Sequence, residues 1–161
     1  MTAPQVLRTS VRTQVTVEAP IEHAFKVFTE GIESWWDPDH HLLPEGTTLE
    51  RMVFEPRVGG HVYDVVSDGS ECRWARVLAY EPPDRVVFSW DISPQWQIES
   101  DLNRTSEVEV RFIAEAPDRT RVELEHRNLD RHGDGWEQMR AAVGSDGGWP
   151  SGMNRYAAAL R

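Results

Sequence analysis

From residue 50 to residue 127 the chain keeps a period of two, apolar against polar, interrupted only by turn formers and one longer loop. That period belongs to β-strands with one buried and one wetted face, so half of the chain is committed to an antiparallel sheet. The strands read as "RMVFEPRV" (51–58), "GGHVYDVVS" (59–67), "CRWARVLAYE" (72–81), "VVFSWDI" (86–92), "TSEVEVRFIAE" (105–115) and "TRVELEHRN" (120–128). Gly59–Gly60 mark a bend or bulge, and "SDGSE", "EPPDR" and "APDR" supply hairpin turns. Residues 93–104, with Pro94 and Trp96, form the longer loop. Strands joined in succession by short turns make a meander.

The ends of the chain supply what covers the sheet. "VRTQVTVE" (11–18) alternates Val11, Thr13, Val15 and Val17 against Arg12, Gln14, Thr16 and Glu18, a further half-buried strand. Pro20 suits a first helical position, and Ile21, Ala24, Phe25 and Phe28 follow at helical spacing to near Gly31. Ile32, Trp35 and Trp36 predict a second short helix, stopped before Pro38. Near the C-terminus Trp136, Met139, Arg140 and Val143 fall at i, i+3, i+4 and i+7. "GSDGG" (144–148) breaks that pattern, Pro150 restarts it, and Trp149, Met153, Tyr156 and Leu160 form one apolar stripe.

An antiparallel sheet needs one face covered, and with so few helices this one must curl around the last of them. The predicted fold is α+β, a curved antiparallel sheet wrapped around a long C-terminal helix, with two short helices after the first strand. One helix does not fill a sheet so curved, so a cavity is expected between them. Residues 1–161 read as a single domain, with residues 1–9 a loose N-terminal tail.

Composition narrows the functions. Seven tryptophans in 161 residues exceed what packing needs, and large rings also line cavities for apolar or aromatic ligands. A net charge of −10 argues against nucleic acid and anionic membranes, both of which ask for a basic face. Cys72 is the only cysteine, so no intramolecular disulfide forms, which suits a reducing compartment. "MTAPQVLRTS" lacks the pattern of a signal peptide, and no apolar run approaches the roughly 20 residues of a membrane span. A cytoplasmic, soluble protein is expected.

The stretches "EAPIEHAFKVFTEGIESWW", "FEPRVGGHVYDVVSDGSECRWARVLAYEPPDRVVFSW", "TRVELEHR" and "GGWPSGMNRYAAAL" together resemble the START-like superfamily, also called SRPBCC. Within it they are most similar to the branch named for homology to the activator of the heat-shock-protein-90 ATPase. The resemblance runs over roughly residues 10–160 and rests on the order of "AP", "EP..GG", "EPP.R", "VE.EH" and a late "GGW". It implies a helix-grip fold with a deep apolar pocket between sheet and C-terminal helix. Members mostly bind or transport hydrophobic small molecules, and some relatives are cyclases, hydratases or lyases.

A turn centred near Pro117 sets Val110 beside Leu124 and Val108 beside His126 on the inner face. On the outer face it sets Arg111 against Glu123, Glu109 near Glu125 and Glu107 near Arg127, charges most simply read as a solvated surface. His126 is thus directed inward, either as a histidine near the sheet edge bonded to backbone or water, or as a polar handle that moves a proton. The candidate ligand-binding residues are Trp35, Trp36, His61, Tyr63, Trp74, Phe88, Trp90, His126, Trp149, Met153 and Tyr156, with His126 the catalytic candidate. Any one of them alone is accounted for by ordinary core packing.

"ESWWDPDHHLLPEG" (33–46) crowds Asp37, Asp39, His40 and His41 together, but adjacent side chains seldom converge on one ion. The expected picture is Trp35 or Trp36 at the pocket rim with "DPDHH" in the loop above it. His23, His61 and His132 are scattered, and no phosphate loop, dinucleotide fingerprint, Gly-x-Ser-x-Gly or His-Glu-x-x-His is present. Neither metal nor cofactor is expected. The leading expectation is a binder of a hydrophobic or aromatic small molecule. The alternatives are a pocket enzyme of cyclase, dehydratase or hydrolase type using His126, and a co-chaperone-like interaction module. A chaperone partner is disfavoured because no second domain or linker is evident, and the oligomeric state is not readable.

Overall fold

In the computed structural model, which describes residues 9–161, the chain opens with β1 (Val11–Val17), α1 (Ile21–Phe28) and a 3-10 turn (Ile32–Ser34). Six further strands follow: β2 (Leu49–Phe54), β3 (His61–Val66), β4 (Glu71–Glu81), β5 (Arg85–Trp90), β6 (Ser106–Ala116) and β7 (Arg119–Arg127). The chain ends in α2 (Trp136–Gly144) and α3 (Trp149–Ala159). All seven strands form one antiparallel sheet in the order β1-β7-β6-β5-β4-β3-β2. It curls into a half-barrel around the bent C-terminal helical segment, the helix-grip arrangement. The tail expected over residues 1–9 lies outside the described residues except for Thr9, which is buried and whose carbonyl accepts from the Leu129 amide at 3.0 Å.

The last hairpin has the register its alternation predicts: Val108 faces His126, Val110 faces Leu124 and Arg111 faces Glu123. Side chains on the concave face, such as Val108, Val110, Val122 and Leu124, are buried against the helices. The convex face departs from a solvated surface at Glu109, which is only 4 % exposed. Arg127 reaches it at 2.8 Å, Arg111 at 3.3 Å, and Arg85 bonds to it from the neighbouring strand. Glu109 sits mid-sheet, so three long arginine stems fold over it and exclude water. Burial raises its carboxyl's pKa, but the guanidiniums more than offset that and hold it below the ordinary carboxylate value.

The strand expected at 51–58 runs Leu49–Phe54 and stops there. Pro56 has no N–H for a ladder, and the next residues form a tight loop instead. The Glu55 carboxylate accepts from the His61 amide at 2.8 Å. A Cβ on Gly60 would lie 2.7 Å from the Glu55 Cβ, so only glycine fits. At the other end the helical pattern bends at Ser145–Gly148, where a Cβ on Gly148 would lie 2.3 Å from the Val143 carbonyl oxygen. This bend sets α3 at an angle to α2 and opens the concave face near Trp149.

Candidate functional site

That bend leaves a cavity of about 520 Å³ between β3–β5, the segment after α1 and the α2–α3 junction. Six of the chain's seven tryptophans line it: Trp35, Trp36, Trp74, Trp90, Trp96 and Trp149. Five of these touch in series. Trp35 meets Trp36 at a centroid distance of 5.5 Å, Trp36 meets Trp74 at 4.9 Å, Trp74 meets Trp90 at 5.8 Å, and Trp90 meets Trp149 at 5.7 Å. Tilted and edge-to-face contacts of this kind hold each ring by its neighbours, so the walls are preformed.

The tryptophans divide the work. Trp35 is buried, donates its indole N–H to the Val27 carbonyl at 3.2 Å, and packs edge-on against Tyr156. Trp36, its sequence neighbour, is half-buried and donates to the His40 carbonyl at 3.0 Å, which ties the following loop to the cavity rim. Trp90 Nε1 is buried without an acceptor among the described residues. Trp96 reaches the cavity from the 93–104 loop, where its backbone adopts a φ of 59° and the residue stays nearly half exposed.

Several expected residues stand elsewhere. Phe88 is fully buried behind Trp74 and Phe54, and Met153 and Tyr156 are buried in the core. The Tyr156 hydroxyl donates to the Ala24 carbonyl at 2.6 Å, and burial pushes its pKa far up. His61 and Tyr63 do not line the cavity. Val62, Asp64 and Val66 are the buried set on β3, so alternation turns His61 toward Glu55 and Tyr63 beneath the Arg73 guanidinium.

His126 points inward as expected but does not line the cavity. It is fully buried and lies behind Trp149, which donates its indole N–H to His126 Nδ1 at 3.0 Å. On its other side Nε2 meets Ser106 Oγ at 2.7 Å, and Ser106 Oγ in turn meets His132 Nε2 at 2.7 Å. Burial, with His132 nearby as the smaller cause, pushes the His126 pKa down to about 3. The ring is therefore neutral at physiological pH, with both nitrogens occupied.

The polar side of the cavity comes from the acid–histidine cluster at residues 37–41 and from β3. His41 folds down from the loop, and its Nδ1 lies 2.8 Å from Asp64 Oδ2, with the two side chains 4 % and 1 % exposed. Asp37, Asp39 and His40 occupy the rim, with Asp37 and His40 3.8 Å apart. Among the described residues no three ligand-type side chains gather as an ion would require. The one sequence signal for the pair is Asp64 itself, a carboxylate in phase with Val62 and Val66 on an inward face.

The family described as Activator of Hsp90 ATPase homolog 1-like protein matches residues 18–161. Among solved structures the chain is similar to the anthrahydroquino-gamma-pyrone synthase Txn09, with 38% identity, 98% of this chain and 100% of that one covered, and a TM-score of 0.67. It is also similar to the self-sacrificing resistance protein CalC from Micromonospora echinospora, with 27% identity, 95% and 94% covered, and a TM-score of 0.66. Protein NE0264 from Nitrosomonas europaea shares the fold at 13% identity, with 98% and 97% covered and a TM-score of 0.67. No curated protein matches the chain.

Proposed function

We propose that this chain, which belongs to the Activator of Hsp90 ATPase homolog 1-like family, binds a flat hydrophobic or aromatic small molecule in the tryptophan-walled cavity. The observation that carries the reading is the gathering of six tryptophans around about 520 Å³ of space. That volume lies within the roughly 300–1,000 Å³ of small-molecule sites. Indole faces favour planar, polarisable ligands, and a preformed aromatic slot loses little entropy on filling. Titration with a planar tricycle such as 2-methoxyanthraquinone, followed by tryptophan fluorescence, tests it. Saturable quenching is expected, and quenching that stays linear with no plateau rejects the reading.

A second reading, a pocket enzyme that closes a ring on an aromatic substrate, is favoured by the likeness to a synthase at 38% identity over 98% of this chain. The paired His41 and Asp64 give the cavity a polar wall such chemistry requires. Incubation with a phenol carrying an unsaturated ketone side chain, read by chromatography at unchanged mass, tests it. An isomeric product formed in proportion to protein concentration is expected.

A further inference from the structure

We infer that His41 and Asp64 act as an acid–base pair that takes a proton from a phenolic or enolic hydroxyl of the molecule held between the tryptophans. The inference rests on the cavity being the binding site. Asp64 stands in β3 among Val62, Val65 and Val66, where an apolar residue would fill the wall without desolvating a charge. One of its oxygens, Oδ2, engages His41 Nδ1, while Oδ1 has no partner among the described residues. His41 comes from a segment without helix or strand, yet its ring is buried down to 4 % exposure. The loop is thus folded to place an imidazole, and Asp64 is what it is placed against.

The geometry assigns the nitrogens. A carboxylate accepting at Nδ1 holds the proton there and leaves the Nε2 lone pair as the base. Nε2 makes no hydrogen bond among the described residues, and unlike Asp64 Oδ1 it is not sealed from solvent. His41 and Asp64 line the same cavity as Trp36, Trp74 and Trp90. The other titratable groups around the pair are Asp37, Asp39 and His40 on its own loop, with Arg155 of α3 near Asp37 and the neutral Cys72 thiol opposite Asp64 on β4. In the step, the hydroxyl O–H bond breaks, its electron pair stays on oxygen, and the proton bonds to Nε2. Asp64 then faces an imidazolium, and its charge stabilises the ion pair formed with the ligand oxyanion. His41 is the group that touches the ligand, and Asp64 positions it.

The test uses 2-hydroxyanthraquinone, whose colour reports its ionisation, with 2-methoxyanthraquinone as the analogue that has no proton to give. At saturating protein, and at a pH below the free phenol's midpoint, the ionised fraction of bound 2-hydroxyanthraquinone is expected to rise about tenfold in the native protein. Saturated His41→Gln should return the fraction to that of the free probe, and Asp64→Asn should lower it part of the way. Nitrogen NMR supplies a measurement that needs no variant. His41 Nε2 should gain a proton with the hydroxy probe and not with the methoxy one. Quenching by both probes with no gain in ionisation overturns this inference alone, as does His41→Gln behaving like the native chain. The absence of saturable quenching by either probe overturns the binding reading and this inference with it.

Discussion

Trp149 donates its indole N–H to His126 Nδ1 across 3.0 Å, and that single contact fixes the protons on three buried side chains. Indole nitrogen only donates, so Nδ1 accepts, and neutral His126 carries its proton on Nε2. Nε2–H then donates to Ser106 Oγ, and the Ser106 hydroxyl has one proton left to give, to His132 Nε2. His132 is therefore protonated on Nδ1, a buried atom with no partner among the described residues. Long-range proton–nitrogen NMR should show opposite tautomers, Nε2–H for His126 and Nδ1–H for His132. Identical tautomers would refute the chain of donors.

The same burial predicts a loss of stability in mild acid. Burial lowers the pKa of both histidines, that of His126 from 6.5 to about 3. Below pH 6.5 the unfolded chain takes up protons that the folded chain refuses, so stability is full above that value and falls as pH drops toward 3. Each refused proton contributes a slope of up to about 1.4 kcal/mol per pH unit. Thermal melts between pH 6.5 and 5, above the ordinary carboxylate range, should show Tm falling with pH. His132→Asn should flatten the fall, and an unchanged slope would contradict the assignment.

Much of this architecture was legible in the chain. The hairpin register followed from period-two alternation around a turn at Pro117, since a one-residue slip would turn Val108 and Val110 to the outside. What faces His126 was not legible, because Ser106 and Trp149 reach it from the next strand and the last helix, and alternation predicts a direction without a partner. On β3 the two alternating sets, His61, Tyr63, Val65 and Val62, Asp64, Val66, are about equally apolar. The aromatic set reads as the pocket face, whereas the buried one carries the aspartate. Its burial depends on His41, 23 positions away in a loop without periodicity. Glu109 departs from the wetted convex face for a related reason, since arginines on three strands enclose it.

Glu109 should therefore behave unlike the other acids of that face. Glu109→Gln removes the buried carboxylate that Arg85, Arg111 and Arg127 share, leaving Arg85 to the more exposed Glu81 and Arg127 to Glu107, and should cost about 1–3 kcal/mol. Glu115→Gln removes an ion pair with Arg121 at 2.7 Å in a more exposed position, and should cost under about 1 kcal/mol. Urea unfolding of the two variants measures the difference, and equal losses would show that the enclosure of Glu109 contributes nothing.

Adjacent tryptophans should separate stability from binding. Trp35 is 2 % exposed and wedged against Phe28 and Tyr156, so Trp35→Ala should cost about 3–5 kcal/mol. Trp36 is half-buried and lies over Trp74 at 4.9 Å with its plane tilted by 33°. Trp36→Ala should cost less than half as much in urea unfolding. It should weaken 2-methoxyanthraquinone binding about tenfold, the equivalent of about 1.4 kcal/mol. Similar stability losses for the two variants would show that Trp36 is held in the frame as firmly as Trp35.

Gly152 offers a way to fill the cavity without disturbing its frame. It lies inside α3 and lines the cavity, and a Cβ there would meet only Trp149 and Trp35 ring carbons, each at 3.9 Å. That is ordinary van der Waals contact, and replacing a mid-helix glycine with alanine stabilises by roughly 0.5–1 kcal/mol. Gly152→Ala should therefore raise Tm. Gly152→Leu extends the same side chain from the wall into the space a planar guest would occupy. It should keep Tm near the native value while abolishing saturable quenching by 2-methoxyanthraquinone. If Gly152→Leu folds and still binds as tightly as the native protein, the guest sits somewhere other than between these rings.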